Sequence, residues 1–276
     1  GLVPGDRVLT NIGEMRNRVI EIEISSPVLT TKEYRWTLSF NAAYNQNEII
    51  NLDNTVNTSE NTTYPWGNIA GDVGQTIQSL EVGVPFESFY VYEQLYDDAG
   101  RPLYNQNELT EMYKDQNGDG QINEDDRRYL EKAAPDWILG LTSVSNYRNF
   151  DLSLTFRANI GGYVYNNFSS NYGELRRLEN NVPQNIHKSA LETGFDRKQL
   201  LSDYYLENGT FLRFDNFQIG YTMNELDWLK ARFYVGAQNL FVITGYSGFD
   251  PEIPNGIDNN LYPRARTFLG GMTLTF

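Results

Sequence analysis

The chain has 276 residues, a formal charge of −14, no cysteine, one histidine and an aromatic content of 14%. Without cysteine there is no disulfide framework and no thiolate metal site, and a lone His187 excludes a histidine-rich one. The same scarcity leaves little room for Ser/His nucleophilic catalysis, and the negative charge argues against a nucleic-acid ligand, whose phosphates repel carboxylates.

The opening segment, GLVPGDRVLTN, has neither the basic nor the apolar region of a signal peptide. No run of about 18 apolar residues marks a transmembrane helix. Gly1–Glu14 reads as a loop entered midway. From there the dominant signal has a period of two. Ile20, Ile22 and Ile24 alternate with Glu21, Glu23 and Ser25 in a strand predicted over Arg16–Val28. Over Lys32–Ile49, Trp36, Leu38, Phe40 and Tyr44 share one face, while Arg35, Thr37, Ser39 and Asn41 share the other. A hairpin of Val73–Val82 and Phe86–Tyr96, turning at Gly83–Pro85, is expected next. Strands follow at Asp136–Tyr147, Phe150–Tyr165, Thr210–Thr222, Ala231–Ile243 and Arg264–Phe276. In the third of these the apolar phase changes after Phe214 and resumes at Phe217, which predicts a β-bulge near Asp215–Asn216.

Alternation alone fits a soluble sandwich as well as a transmembrane barrel. Three features favour the barrel. The strands are long enough to cross a bilayer at a tilt, which takes roughly 9–11 residues. Tight turns at Ser26–Lys32, Tyr147–Asn149 and Met223–Leu229 alternate with long connections at Asn51–Asp72, Asp98–Pro135, Asn166–Asn208 and Thr244–Pro263. Aromatic residues gather at strand ends: Tyr34, Trp36 and Tyr44, Tyr147 and Phe150, Tyr163 and Tyr165. Counting crossings gives about nine strands, beginning and ending in the same direction. An antiparallel barrel in one chain closes with an even number, so an odd count implies the C-terminal part of a larger barrel.

The segment DQNGDGQINEDD, Asp115–Asp126, has the spacing of an EF-hand calcium loop. Asp115, Asn117 and Asp119 occupy loop positions 1, 3 and 5, Gly120 the sharp turn, Gln121 a carbonyl ligand, Asn123 a ligand or water bridge, and Asp126 the closing position. Aspartate there is shorter than the usual glutamate, which weakens bidentate reach. The same spacing also suits an ion-free Asx-rich turn. A structural Ca2+ is expected, tying down a long loop with little core of its own.

Loop aromatics Tyr64, Trp66, Tyr172, Tyr204, Tyr246 and Tyr262 are candidates for stacking on a transported solute, with loop packing as the plainer alternative. Inward-facing Arg35, Arg157, Asp151, Arg213 and Asp215 either line a solute path or form lumenal ion pairs. Asp250–Pro251 initiates a turn.

Several segments in order, NIGEMRNR, APDWILGL, YRNFDLSLTF, YLENGTFLRFDNFQIGYT, VGAQNLFVIT, GFDPEI and the ending YPRARTFLGGMTLTF, resemble the SusC/RagA-like TonB-dependent transporters of Bacteroidota outer membranes. That resemblance implies a 22-stranded barrel, of which this chain is strands 14 to 22. It also implies an outer-membrane location, import of glycans or peptides, a SusD-like surface lipoprotein as partner, and energy from the TonB complex. The family's plug and N-terminal extension have no counterpart here, so their functions are expected from elsewhere. The contrasting reading is a soluble, calcium-binding, carbohydrate-recognising sandwich. A hydrolase is weaker still, since no acidic pair is marked as a site.

Overall fold

A computed structural model describes residues 13–52, 64–179, 184–226, 228–259 and 262–276. β1 (Gly13–Thr30) and β2 (Tyr34–Leu52) form a hairpin. Four short strands follow: β3 (Tyr64–Asn68), β4 (Thr76–Leu80), β5 (Ser88–Val91) and β6 (Arg128–Lys132). β7 (Trp137–Tyr147) and β8 (Phe150–Ile160) make a second long hairpin, and β9 (Tyr163–Tyr165) later pairs with β10 (Leu206–Asn208). β11 (Phe211–Leu226) and β12 (Leu229–Thr244) form the third, and β13 (Thr267–Thr275) joins β12. Two short helices, α1 (Asn167–Tyr172) and α2 (Ser189–Thr193), lie between β9 and β10.

The long strands make one antiparallel sheet of seven, in the order β1-β2-β7-β8-β11-β12-β13. Among the described residues no second sheet lies against the apolar face of this wall: Phe40, Met272 and Leu274 remain exposed. The register aligns like with like across the strands. One row runs Ile24, Phe40, Leu141, Phe156, Phe214, Phe241. Within it Phe156 and Phe214 stack at 4.4 Å. At the short-turn end lies an aromatic row of Tyr34, Tyr147, Phe150, Tyr221 and Phe233, ending on Met272. At the other end Tyr44 packs on Trp137 at 5.0 Å. β7 spans 11 residues between these borders. At about 3.4 Å per residue and a tilt near 40°, it covers a band about 25–28 Å tall, the height of a bilayer-facing belt. The opposite face is polar, with Thr142 beside Thr155 and the ion pair Arg232–Asp151 at 2.6 Å.

The sheet departs from the expected count: it holds seven strands among the described residues, not nine. Strand parity required an even number of crossings between β2 and β7, and zero satisfies that as well as two. The Gly83–Pro85 turn exists, but its flanking strands β4 and β5 have only five and four residues and are buried on both faces, with Ile77, Phe89 and Val91 fully enclosed. Segments that short cannot cross a bilayer. Phe150–Tyr165 likewise breaks in two, because Gly161 and Gly162 both take φ of 76°, a left-handed conformation that glycine adopts without a Cβ clash. Tyr165, expected at a strand-end border, is instead completely buried. The expected loop at Gly1–Glu14 falls mostly outside the described residues, and β1 already begins at Gly13. The expected bulge is present: the register slips between Phe214 and Asn216 against both neighbours, leaving Asp215 unpaired in the ladder.

The long connections all emerge at one end of the wall and fold together into a lobe. Its core joins Ile77, Phe89 and Val91 from the first insertion, Tyr165, Phe195 and Tyr205 from the second, and Ile257 from the third. The connection carrying the Asp115–Asp126 segment therefore does have a core to rest on, contrary to the sequence expectation.

Candidate functional site

The described residues of the third insertion, 245–259 and 262–266, run as a strap from the lobe onto the polar face of the wall. Two strands and a bulge set up its anchorage. Arg157 on β8 and Arg213 on β11 are cross-strand partners, and the extra residue Asp215 brings a carboxylate alongside them. Arg157 Nε donates to Asp215 Oδ2 at 2.9 Å, and its Nη2 donates to Glu252 Oε2 on the strap at 3.0 Å. Arg213 Nη2 donates to Asp250 Oδ1 at 2.6 Å and Nη1 to Asn239 Oδ1 at 2.7 Å. Arg264, at the strap's far end, reaches Glu252 at 2.9 Å. Three guanidiniums thus face three carboxylates and cancel. Arg213 is 2% exposed and Asp250 4%, so the network has a buried ion pair at its centre, with the other four charges partly exposed around it. Asp250 also accepts from Glu252 N at 2.9 Å, so the expected Asp–Pro turn serves the anchorage too.

Sequence reasoning found Arg157, Arg213 and Asp215 but not Asn239, Glu252 or Arg264. Asn239 sits at the irregularity in β12 opposite the bulge with φ of 53°, and its amide donates to the Arg264 carbonyl at 3.1 Å. A polar pair interrupting the apolar alternation at Gln238–Asn239 was the available signal. Beside the network lies a cleft of about 250 Å³ lined by Asn159, Tyr163, Phe211, Glu252 and Arg264. Arg232 with Asp151, and Arg157 with Asp215, show that inward charges form ion pairs; for Arg35, Glu21 and Glu23, expected to do the same, no such pair is described.

The Asp115–Asp126 segment is a chain of Asx turns. Asp115 accepts from Gly118 N at 2.6 Å and Gly120 N at 2.8 Å. Asn117 accepts from Asp119 N at 2.9 Å, and Asp119 from Gln121 N at 2.8 Å. Gly120 takes φ of 80°, as a sharp turn at loop position 6 requires. Asp126 is fully buried and accepts from Asn123 N and from Gln116 N, bonds that hold its carboxyl below the usual carboxylate range. Asn123 caps the short turn that follows. The backbone therefore has the curl of an ion-binding loop, while among the described residues no three acidic or histidine side chains converge to metal-holding distance. The loop is pinned to the lobe by Arg127, whose guanidinium donates to the Tyr90 carbonyl at 2.6 Å and lies over the Tyr90 ring.

The six loop aromatics have different surroundings. Tyr246 is buried, its hydroxyl donating to Asp258 Oδ2 at 2.6 Å. Tyr204 packs edge-on against Tyr205 and Phe195 in the lobe core. Tyr64 lies against the small cluster of Ile49, Leu52 and Leu80. Trp66 is exposed but leans on Phe86, Tyr172 carries the Arg177 guanidinium, and Tyr262 is 88% exposed.

No family model matches the chain. It is 37% identical over 96% of its length to the TonB-dependent receptor SusC of Bacteroides thetaiotaomicron, and 27% identical over 97% to a TonB-dependent receptor of Formosa agariphila. Among solved structures it matches the RagAB peptide transporter with a TM-score of 0.72 and 23% identity over 96% of the chain. The chain spans 27% and 29% of the two receptors' lengths and 30% of the solved chain.

Proposed function

The chain belongs to the SusC/RagA-like TonB-dependent receptors, and we propose on that premise that it forms seven adjoining strands of an outer-membrane barrel that imports oligomeric nutrients. The observation that carries this reading is the apolar band of the wall. It is bordered by aromatic rows, is as tall as a bilayer's hydrocarbon belt, and backs onto a polar face with paired charges. A soluble sandwich would bury that band under a second sheet. The short turns then lie on the periplasmic side and the lobe outside the cell. β1 and β13 run in the same direction, so an odd number of further strands completes the barrel. A SusD-like lipoprotein would hand solute to the lobe, and the TonB complex would supply energy through a plug. The role is transport and not catalysis.

The Asp115–Asp126 loop is proposed as a structural Ca2+ site on the lobe. Asp115, Asn117 and Asp119 would contribute side-chain oxygens, Gln121 its carbonyl, Asn123 a ligand or water bridge, and Asp126 the closing carboxylate. The support is the curled backbone; a bound ion would draw the carboxylates from their own amides.

The test uses three of the chain's four tryptophans. Single-tryptophan variants of the full receptor are reconstituted in vesicles of lipid brominated on its acyl chains. Trp36 and Trp137, on the apolar face, should be strongly quenched, and Trp66 in the lobe should not. Equal quenching at all three positions overturns the membrane reading.

A further inference from the structure

A second hollow, of about 180 Å³, opens where the strap leaves the lobe, one residue before the buried anchor Asp250. Its sides are the rings of Phe168, His187 and Phe249. The His187 and Phe168 rings meet edge to face at 5.7 Å. Phe249 is 68% exposed, a large apolar side chain held at the rim with water on one face.

Most polar groups of this hollow are spent on one another. Asn166 donates to Glu207 at 2.8 Å and to Ser247 Oγ at 3.1 Å. Ser247 Oγ in turn donates to Glu207 at 2.7 Å. Asp258 accepts the Tyr246 hydroxyl. His187 Nδ1 bonds Ser189 Oγ at 2.9 Å, and burial lowers the pKa of the imidazole, favouring its neutral form. A polar ligand would lose water here and find few free partners, at a cost in affinity. A flat apolar ring loses nothing and gains ring contacts. The size agrees, since a dry cavity of roughly 150 Å³ accepts benzene.

We propose that the hollow between Phe168, His187 and Phe249 is a subsite at the barrel mouth for one phenyl-sized apolar side chain of a peptide passing inward. This rests on the importer reading and narrows its substrate to peptides bearing aromatic residues. The position suits that use: the Asp250 and Glu252 anchorage fixes the strap on the polar face of the wall, one residue beyond Phe249.

The test is equilibrium binding to the full receptor in detergent. The probes are Gly-Gly-Phe-Gly-Gly, Gly-Gly-Ala-Gly-Gly and maltotetraose. The phenylalanine peptide should bind measurably more tightly than its alanine counterpart. Phe249→Ala, a change at an exposed side chain, should cut that preference about 2- to 10-fold, the worth of one aromatic contact. Phe249→Trp should keep it. No preference for phenylalanine in the wild type, or a preference untouched by Phe249→Ala, overturns the proposal. So does maltotetraose binding that is lost in Phe249→Ala, because the hollow then takes sugars. The tryptophan quenching is independent of all three probes, so a failed importer reading and a failed subsite are told apart.

Discussion

Replacing Arg213 with methionine isolates the buried end of the anchorage. The side chain is 2% exposed and donates to Asp250, itself 4% exposed, and to Asn239. Removing one partner of a buried pair leaves the other charge desolvated, which costs about 3–5 kcal/mol. Arg264 touches the same two strap carboxylates but is 43% exposed, and such a pair is worth about 0–1 kcal/mol. The wall keeps its ladders in both variants, so the loss appears as opening of the strap. Amide hydrogen exchange on the receptor in nanodiscs reads it out. Arg213→Met should lower protection across the strap by about 100-fold or more, with β8 and β11 unchanged, while Arg264→Gln should lower it less than about 5-fold. Adding Asp250→Asn to Arg213→Met should recover part of the loss, because the stranded charge is gone. Equal effects of Arg213→Met and Arg264→Gln would refute the argument that burial decides the strength of this network.

Asp115→Ala with Asp119→Ala should make the 98–135 segment as sensitive to limited proteolysis in calcium as the wild type is in chelator; unchanged cleavage in all conditions removes the metal from the account. Burial pushes the Asp203 carboxyl up to about 6, against the bond it accepts from Gln94 N. The folded lobe then holds a proton that the unfolded chain has released, so its stability should fall as pH rises from about 4 to 6, and Asp203→Asn should flatten that slope in urea titrations of the receptor. At Gly162 an added Cβ would lie 2.7 Å from the Ala133 carbonyl oxygen at a φ of 76°. Gly162→Ala should therefore destabilise the lobe by about 1–3 kcal/mol in the same titration, and a neutral result would mean the segment can shift away.

What the sequence revealed and what it hid divide along physical lines. Wall strands carry a period of two because one face meets an apolar medium and the other a polar lumen, and that pattern located all seven within a few residues. It also located the Asp215 bulge, since a single inserted residue flips the phase from Phe214 to Phe217. The lobe obeys no such rule. β4 and β5 are buried on both faces, so their apolar residues resemble another spanning hairpin, and only length distinguishes them. The strap's anchorage joins Arg157 to Glu252 and Arg213 to Asp250 across long stretches of chain. No local pattern marks which acid meets which arginine. Among the loop aromatics, residue type could not separate Tyr246, sealed by Asp258, from Tyr262 in solvent.

The lobe's divided authorship has a consequence for biogenesis. Gln78 bonds the carbonyl of Asn255, and Tyr165 bridges Ile257, so the hydrophobic centre draws on segments separated by most of the polypeptide. None of the three insertions owns enough of that centre to collapse early, and contacts so distant in sequence form late. The compact cap therefore condenses only once the third insertion, which supplies Ile257, has met the other two.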